Sequence, residues 1–250
     1  MTDATARALV TARRMHVPQS AVHACPVDAA AAYATQSRVA QALGWFRDQA
    51  PRYWKSGGPS RQAVMTHAAL PPEGVWQSPA DASGWPFRLR GIEAEIALRL
   101  GQAVTVQDAQ ALDLARARTL VDAMCVSIEI VDSRWQEALH APDLAKLADL
   151  QSHGALVLGD WVAFEPRDWS TQTCRVTIGS QAPVERCGSH AMGDPAFVLL
   201  AWLRHLTRDG DAVAAGTVVT TGTWVGILDA VAGDRVDVAF AGIGAASVQL

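Results

Sequence analysis

The chain has 250 residues, 50% of them hydrophobic and 18% charged, with a formal net charge of −4 at pH 7. That length and apolar content suffice for one sizeable core, or for a domain with a smaller lobe. The scattered charge lacks the basic stripe of a nucleic-acid binder, and the longest apolar run, Ala196 to Leu203, falls far short of the roughly 20 residues that span a bilayer. Four widely spaced cysteines, Cys25, Cys125, Cys174 and Cys187, show no Cys-x-x-Cys spacing and predict free thiols in a reducing compartment. The first residues carry no apolar segment of the signal-peptide kind, so a cytoplasmic location is expected.

In chain order, residues 2–15 and 27–50 read as helices, with Asp3 a candidate N-cap for the first and Pro26 opening the second. Residues 51–86 are rich in Gly, Pro and Ser. So long a loop in a compact domain predicts both a functional role and hidden short strands. Alternating apolar residues then predict strands at 88–100 and 123–132, separated by a helix over 107–123 with Asp108 near its start. Further strands are expected at 154–164 and 173–179. A strongly apolar helix follows from Asp194-Pro195 to about Arg208. Three last strands, at 217–221, 235–240 and 245–250, are punctuated by Gly222, Gly233, Gly242 and Gly244.

The residues that point to chemistry are acidic. Glu93 and Glu95 stand two apart on a predicted strand and so share one face, while Ile92, Ala94, Ile96 and Leu98 take the other. A Glu-x-Glu pair is ordinarily a solvated face. Glu129, however, interrupts the apolar run Ala-Met-Cys-Val-Ser-Ile-Glu-Ile-Val, where a carboxylate is costly unless it is paired or bound to a metal. Three glutamates from two strands can form an oxygen cage for a hard divalent cation.

Several segments, in order over roughly residues 28–250, resemble the fumarylacetoacetate hydrolase superfamily and its 2-keto-4-pentenoate hydratase / 4-oxalocrotonate decarboxylase branch. They are Lys55-Ser56-Gly57, Glu93-Ala94-Glu95-Ile96-Ala97 and Ile128 to Arg134, then Ala148-Asp149 to Gly159, and Gly193-Asp194-Pro195 to Thr223. The closing Ala232 to Gly244 also fits. The resemblance implies a mixed α+β fold: a fumarylacetoacetase-like mixed β-sheet roll with flanking helices and a smaller N-terminal α/β lobe. It places the lobe at residues 1–85 and the metal-binding roll at 86–250. It also implies Mg²⁺ or Mn²⁺ on Glu93, Glu95 and Glu129, a small 2-oxo or 2-hydroxy-dienoate substrate, and a homo-oligomer.

The resemblance makes Lys55 the acid/base, with a pKa lowered by a nearby cation. It makes Ser152 and Thr223 substrate contacts, and Asp132 with Arg134 a supporting salt bridge. The chain departs from the branch at Ser56-Gly57-Gly58-Pro59-Ser60, where the pattern is Ile-Gly-Leu-Thr-Ser, and at Leu150 and Gln151. His153 is an addition to the pattern. The Tyr-x-x-His-x-x-Glu element of the C–C hydrolases is absent; His67 and Glu73 come nearest but at the wrong spacing. The expected activity is hydration of a 2-hydroxy-2,4-dienoate. Its competitors are a 4-oxalocrotonate-type decarboxylase, a C–C hydrolase or tautomerase of the superfamily, and a non-catalytic relative.

Overall fold

The computed structural model describes residues 2–47 and 49–250. It begins with α1 (Thr2–Met15) and α2 (Ala29–Leu43). Asp3 falls inside α1 rather than before it, and its side chain lies outside the described ones. The second helix is shorter than the predicted 27–50. Asp28 caps its start by accepting from the Ala31 amide at 2.7 Å, and Gly44 ends it at φ 67°, a left-handed conformation that favours glycine.

The Gly/Pro/Ser-rich stretch hides four short strands, β1 (Tyr53–Gly57), β2 (Thr66–Ala69), β3 (Val75–Gln77) and β4 (Ala80–Asp81). The long β5 (Gly91–Leu100) follows. The helix expected over 107–123 is instead two short ones, α3 (Val106–Gln110) and α4 (Leu114–Thr119). Two caps explain the break. Thr105 caps α3, with Asp108 in the first turn completing a capping box, and Asp113 caps α4 by accepting from the Arg116 amide. Next come β6 (Val121–Val131), α5 (Asp143–Ala148), β7 (His153–Leu158) and β8 (Val162–Ala163). The predicted strand 154–164 is thus interrupted after Leu158. Gly159 there lies so close to Ala245 and β6 that an added Cβ would sit 2.6 Å from the Ala245 carbonyl oxygen. The remainder is β9 (Thr173–Ile178), β10 (Val184–Cys187), α6 (Val198–Thr207), β11 (Val218–Thr220), β12 (Leu228–Asp229), β13 (Arg235–Phe240) and β14 (Gly244–Gln249).

These strands make the expected mixed α+β architecture of two mixed sheets with flanking helices. The larger sheet runs β2-β1-β11-β5-β6-β7-β3, with β12 also pairing with β5 and β8 with β6; the smaller runs β10-β9-β13-β14-β4. Strands before residue 85 therefore enter both sheets. In the larger sheet the pairs β1–β11 and β3–β7 are parallel, while β11, β5, β6 and β7 follow one another antiparallel.

The main core lies between the sheets and α6. Ile92, Ala94, Ile96 and Leu98 of β5 pack there with Val236, Val238 and Phe240 of β13 and Leu199, Trp202 and Leu203 of α6. Each such large side chain removed from water stabilises the fold by roughly 1.5–3 kcal/mol. A second apolar cluster joins α1, α2 and α5 through Leu9, Ala32, Val39, Ala145 and Leu147 around the fully buried Trp135. No helix among the described residues is long and apolar enough to cross a membrane.

Candidate metal centre

The other face of the larger sheet carries the acidic residues. Glu93 stands directly opposite Glu129 in the β5–β6 ladder, and Glu95 opposite Ser127. Register also brings Lys55 of β1 beside Thr220 of β11, and Thr220 beside Ala97 of β5. Four adjacent strands thus present Lys55, Thr220, Glu93 with Glu95, and Glu129 to one face. The carboxylate oxygens of Glu93, Glu95 and Glu129 lie within 4.8 Å of one another.

Two of the three carboxylates are held by hydrogen bonds. Lys55 Nζ donates to Glu129 Oε1 at 2.5 Å and to the Gln151 carbonyl at 3.4 Å. His153 Nδ1 lies 2.9 Å from the same Oε1. Glu95 Oε2 accepts from the Gly222 amide at 2.9 Å and from the Thr220 hydroxyl, which itself meets the Ser127 hydroxyl at 3.1 Å. Glu129 is fully buried, yet its Oε2 has no partner.

The charge is not balanced by these contacts. Three carboxylates face one ammonium, so full ionisation leaves two negative charges in a buried place. Burial, then repulsion from Glu129 and Glu95, pushes Glu93 up to about 8. Burial and Glu129 push Glu95 up to about 7. Burial also acts to raise Glu129, but Lys55 and the His153 hydrogen bond outweigh it and hold the carboxyl below its usual range. Burial pulls Lys55 down, and the three carboxylates more than reverse this, so its net direction is upward. The lowered Lys55 value expected from sequence presupposes a cation beside it; the protein groups alone drive it the other way. A divalent cation fits this donor set on two counts. It supplies the two missing positive charges, and it gives the orphaned Glu129 Oε2 a partner within an all-oxygen group.

The remaining sequence candidates fall differently. Ser152 follows Gln151, whose carbonyl accepts from Lys55, and its buried hydroxyl has no partner. Thr223 sits one residue beyond Gly222, but its hydroxyl donates to the Gly226 carbonyl at 2.8 Å and accepts from the Val225 amide, shaping its own turn. Asp132 and Arg134 form only a loose pair at 3.8 Å. Arg134 instead grips Asp149, its Nε on Oδ1 at 2.6 Å and its backbone amide on Oδ2 at 2.9 Å. The expected pair is thus present, and Asp149, the C-cap of α5, is the closer partner of Arg134.

Three contacts had little or no signal in the sequence. The Gly222 amide and the Thr220 hydroxyl on Glu95 depend on strand order. The bond from His153 depends on the backbone before it. Leu150, Gln151 and Ser152 all have positive φ, at 53°, 56° and 59°. Successive left-handed non-glycine residues cost roughly 1–2 kcal/mol each, and such outliers gather at functional sites. His153, visible as an extra residue in its motif, was the one available hint.

The family model for the fumarylacetoacetate (FAA) hydrolase C-terminal domain matches residues 40–250. Over 154 residues the chain is 31% identical to 2-keto-4-pentenoate hydratase 1 of Dechloromonas aromatica (strain RCB), covering 61% of this chain and 57% of that protein. It is 32% identical to 2-keto-4-pentenoate hydratase 2 of the same strain over 155 residues, with the same coverage. The matched segment therefore spans little more than half the length of these relatives. Among solved structures, 4-oxalocrotonate decarboxylase from Pseudomonas putida G7, complexed with magnesium and adipate, superposes with a TM-score of 0.83 at 20% identity, covering 99% of this chain and 96% of that one.

Proposed function

The chain belongs to the fumarylacetoacetate hydrolase family, and from that premise we propose that it is a divalent-metal-dependent hydratase of 2-hydroxy-2,4-dienoates. The observation that carries the reading is the orphaned Glu129 Oε2 within a group of three carboxylates, two buried and one half-buried, whose charge Lys55 only partly offsets. Support also comes from the hydratase names of the curated relatives and from the magnesium in the decarboxylase structure. In this reading residues 1–85 form the lobe that brings Lys55, and 86–250 the part that carries the glutamates. The enzyme works as a cytoplasmic homo-oligomer on a small 2-oxo acid.

Glu93, Glu95 and Glu129 would hold Mg²⁺ or Mn²⁺. Bound there, such an ion supplies Lewis-acid stabilisation of negative charge on the substrate's keto oxygen. Lys55 Nζ carries the proton that passes between the 2-hydroxy group and the dienoate carbon chain, giving the 2-oxo-3-enoate tautomer. One water is then consumed: its oxygen joins C4 and its proton C3, and the product is a 4-hydroxy-2-oxo acid. Ser152 would contact the substrate through its unpartnered hydroxyl and Thr223 through its backbone, its own hydroxyl being taken by its turn, and the buried face excludes bulk water from the site.

The test is turnover of 2-hydroxypenta-2,4-dienoate with Mg²⁺. Hydration removes the dienoate absorbance and yields 4-hydroxy-2-oxopentanoate. Release of CO₂ from 4-oxalocrotonate, with no turnover of any dienoate, overturns the hydratase reading and makes the protein a decarboxylase.

A further inference from the structure

We infer that His153 is a positioning residue for Glu129, and that a β-bulge at Gly154 exists to aim it. The inference rests on the metal reading above and adds a residue to it.

Strand register carries the argument. In the β6–β7 ladder Glu129 pairs with Leu156 and Ile130 with Ala155, but the next pair is Val131 with His153. Gly154 is therefore the extra residue of a bulge. In an unbroken strand His153 would share the face of Ala155 and Val157, which lie in the main core. The one-residue shift moves it to the opposite face, that of Val131 and Glu129. Only glycine fits at the bulge. A Cβ at Gly154 would stand 2.6 Å from the Ile130 carbonyl oxygen and 2.9 Å from Asp132 Cβ. The left-handed turn Leu150-Gln151-Ser152 leads directly into it.

The imidazole delivered in this way is 1% exposed, with Nδ1 2.9 Å from Glu129 Oε1. An ionised carboxylate only accepts, so Nδ1 carries the proton and Nε2 is the bare nitrogen. Nε2 is itself buried without a partner. Lys55 already donates to the same Oε1. A lysine on a flexible stem could serve either oxygen of a carboxylate that turned over. An imidazole on a fixed strand selects one. With two donors fixed on Oε1, the carboxylate keeps Oε2 for a cation. A role in packing alone would need neither the bulge nor the bond.

The experiment compares wild type with His153→Leu, which keeps bulk and loses the donor, and His153→Asn, whose amide nitrogen can take the place of Nδ1. Mg²⁺ is titrated calorimetrically, and thermal unfolding with and without Mg²⁺ is followed in parallel. ¹⁵N NMR of the wild-type imidazole reads the tautomer. The expected results are a 10–100-fold weaker Mg²⁺ affinity in His153→Leu, the loss typical of removing a partner behind a metal ligand, recovery in His153→Asn, and a proton on Nδ1. Unchanged affinity in His153→Leu, no recovery in His153→Asn, or a proton on Nε2 overturns the inference alone. If His153→Leu does not fold, the Asn variant and the tautomer still decide. Failure of the wild type to bind Mg²⁺ or Mn²⁺ overturns the metal reading, and this inference with it.

Discussion

Two clusters of charge, one on β1, β5 and β6 and one on α1 and the segments that join β6 to β7, are balanced in opposite ways. Around Asp149, two arginines serve one carboxylate. Arg13 and Arg134 both reach Oδ1, and the Arg134 amide takes Oδ2, so each oxygen is used. Around Glu129, three carboxylates share one lysine, and the buried Glu129 Oε2 is left without a partner. The first cluster has the balance of a clamp, fixing the end of α5 against α1 and the exit of β6. The second keeps an excess of negative charge, which is the ground for the cation proposed there. Burial alone does not separate a structural ion pair from a candidate ligand site; the surplus of one sign of charge and the unpaired atom do.

The sharpest break between the clusters comes from replacing their cations. Lys55→Met should lower kcat for dienoate hydration by about 10²–10⁴-fold, the usual loss of a proton-transfer group. The same variant should bind Mg²⁺ more tightly, because it removes the competing positive charge. Steady-state kinetics and calorimetry on one preparation check both. On the other side, Asp149→Ala should cost about 3–5 kcal/mol of stability in urea denaturation, since it leaves two arginines buried without their partner. A loss under about 1 kcal/mol would mean that the Asp149 cluster is not a clamp.

Titration separates the clusters more gently. Glu93 and Glu95 in the cation-free protein sit at about 8 and about 7, above their unfolded value of 4.5. The folded state then binds more protons than the unfolded one. Their contribution is fully present below pH 4.5 and is lost as pH rises through 7 and 8. Cation-free protein should therefore lose stability across that window, and the rise in Tm on adding Mg²⁺ should grow from pH 6 to pH 8.5. A Mg²⁺ effect independent of pH would contradict the assignment of these two glutamates. The smallest effect belongs to a solvent-exposed pair. Arg99 meets Asp122 through two bonds of 2.9 Å, yet Asp122→Ala should change stability by less than about 1 kcal/mol in the same urea assay.

Much of this arrangement was legible in the sequence, for identifiable reasons. Alternation in Gly91–Leu100 and Val121–Val131 fixed two strands and put Glu93 and Glu95 on one face, because the period of two is a property of the chain itself. The apolar flanks of Glu129 marked it as buried. The strand that bears Lys55 was harder to place, because its five residues lie among Gly, Pro and Ser and take their pairing from β11 and β2. The break at Asp113 was available in principle, since Asp is a common helix cap, but the apolar spacing on both sides masked it. The aim of His153 was not readable. It depends on a one-residue register shift, and a strand pattern gives no sign of where its ladder slips. Arg134 points to the same limit: its pair with Asp132, close in sequence, was readable, but its closer bonds to Asp149 were not, because they depend on where a helix ends.

The most direct measurement is a calorimetric titration of the cation-free chain with Mg²⁺, for wild type and Glu129→Gln. The account predicts one site per chain in the wild type and no measurable site in the variant, whose amide removes the charge while keeping the shape. Equal binding by both proteins, or no binding by the wild type with either Mg²⁺ or Mn²⁺, would contradict it.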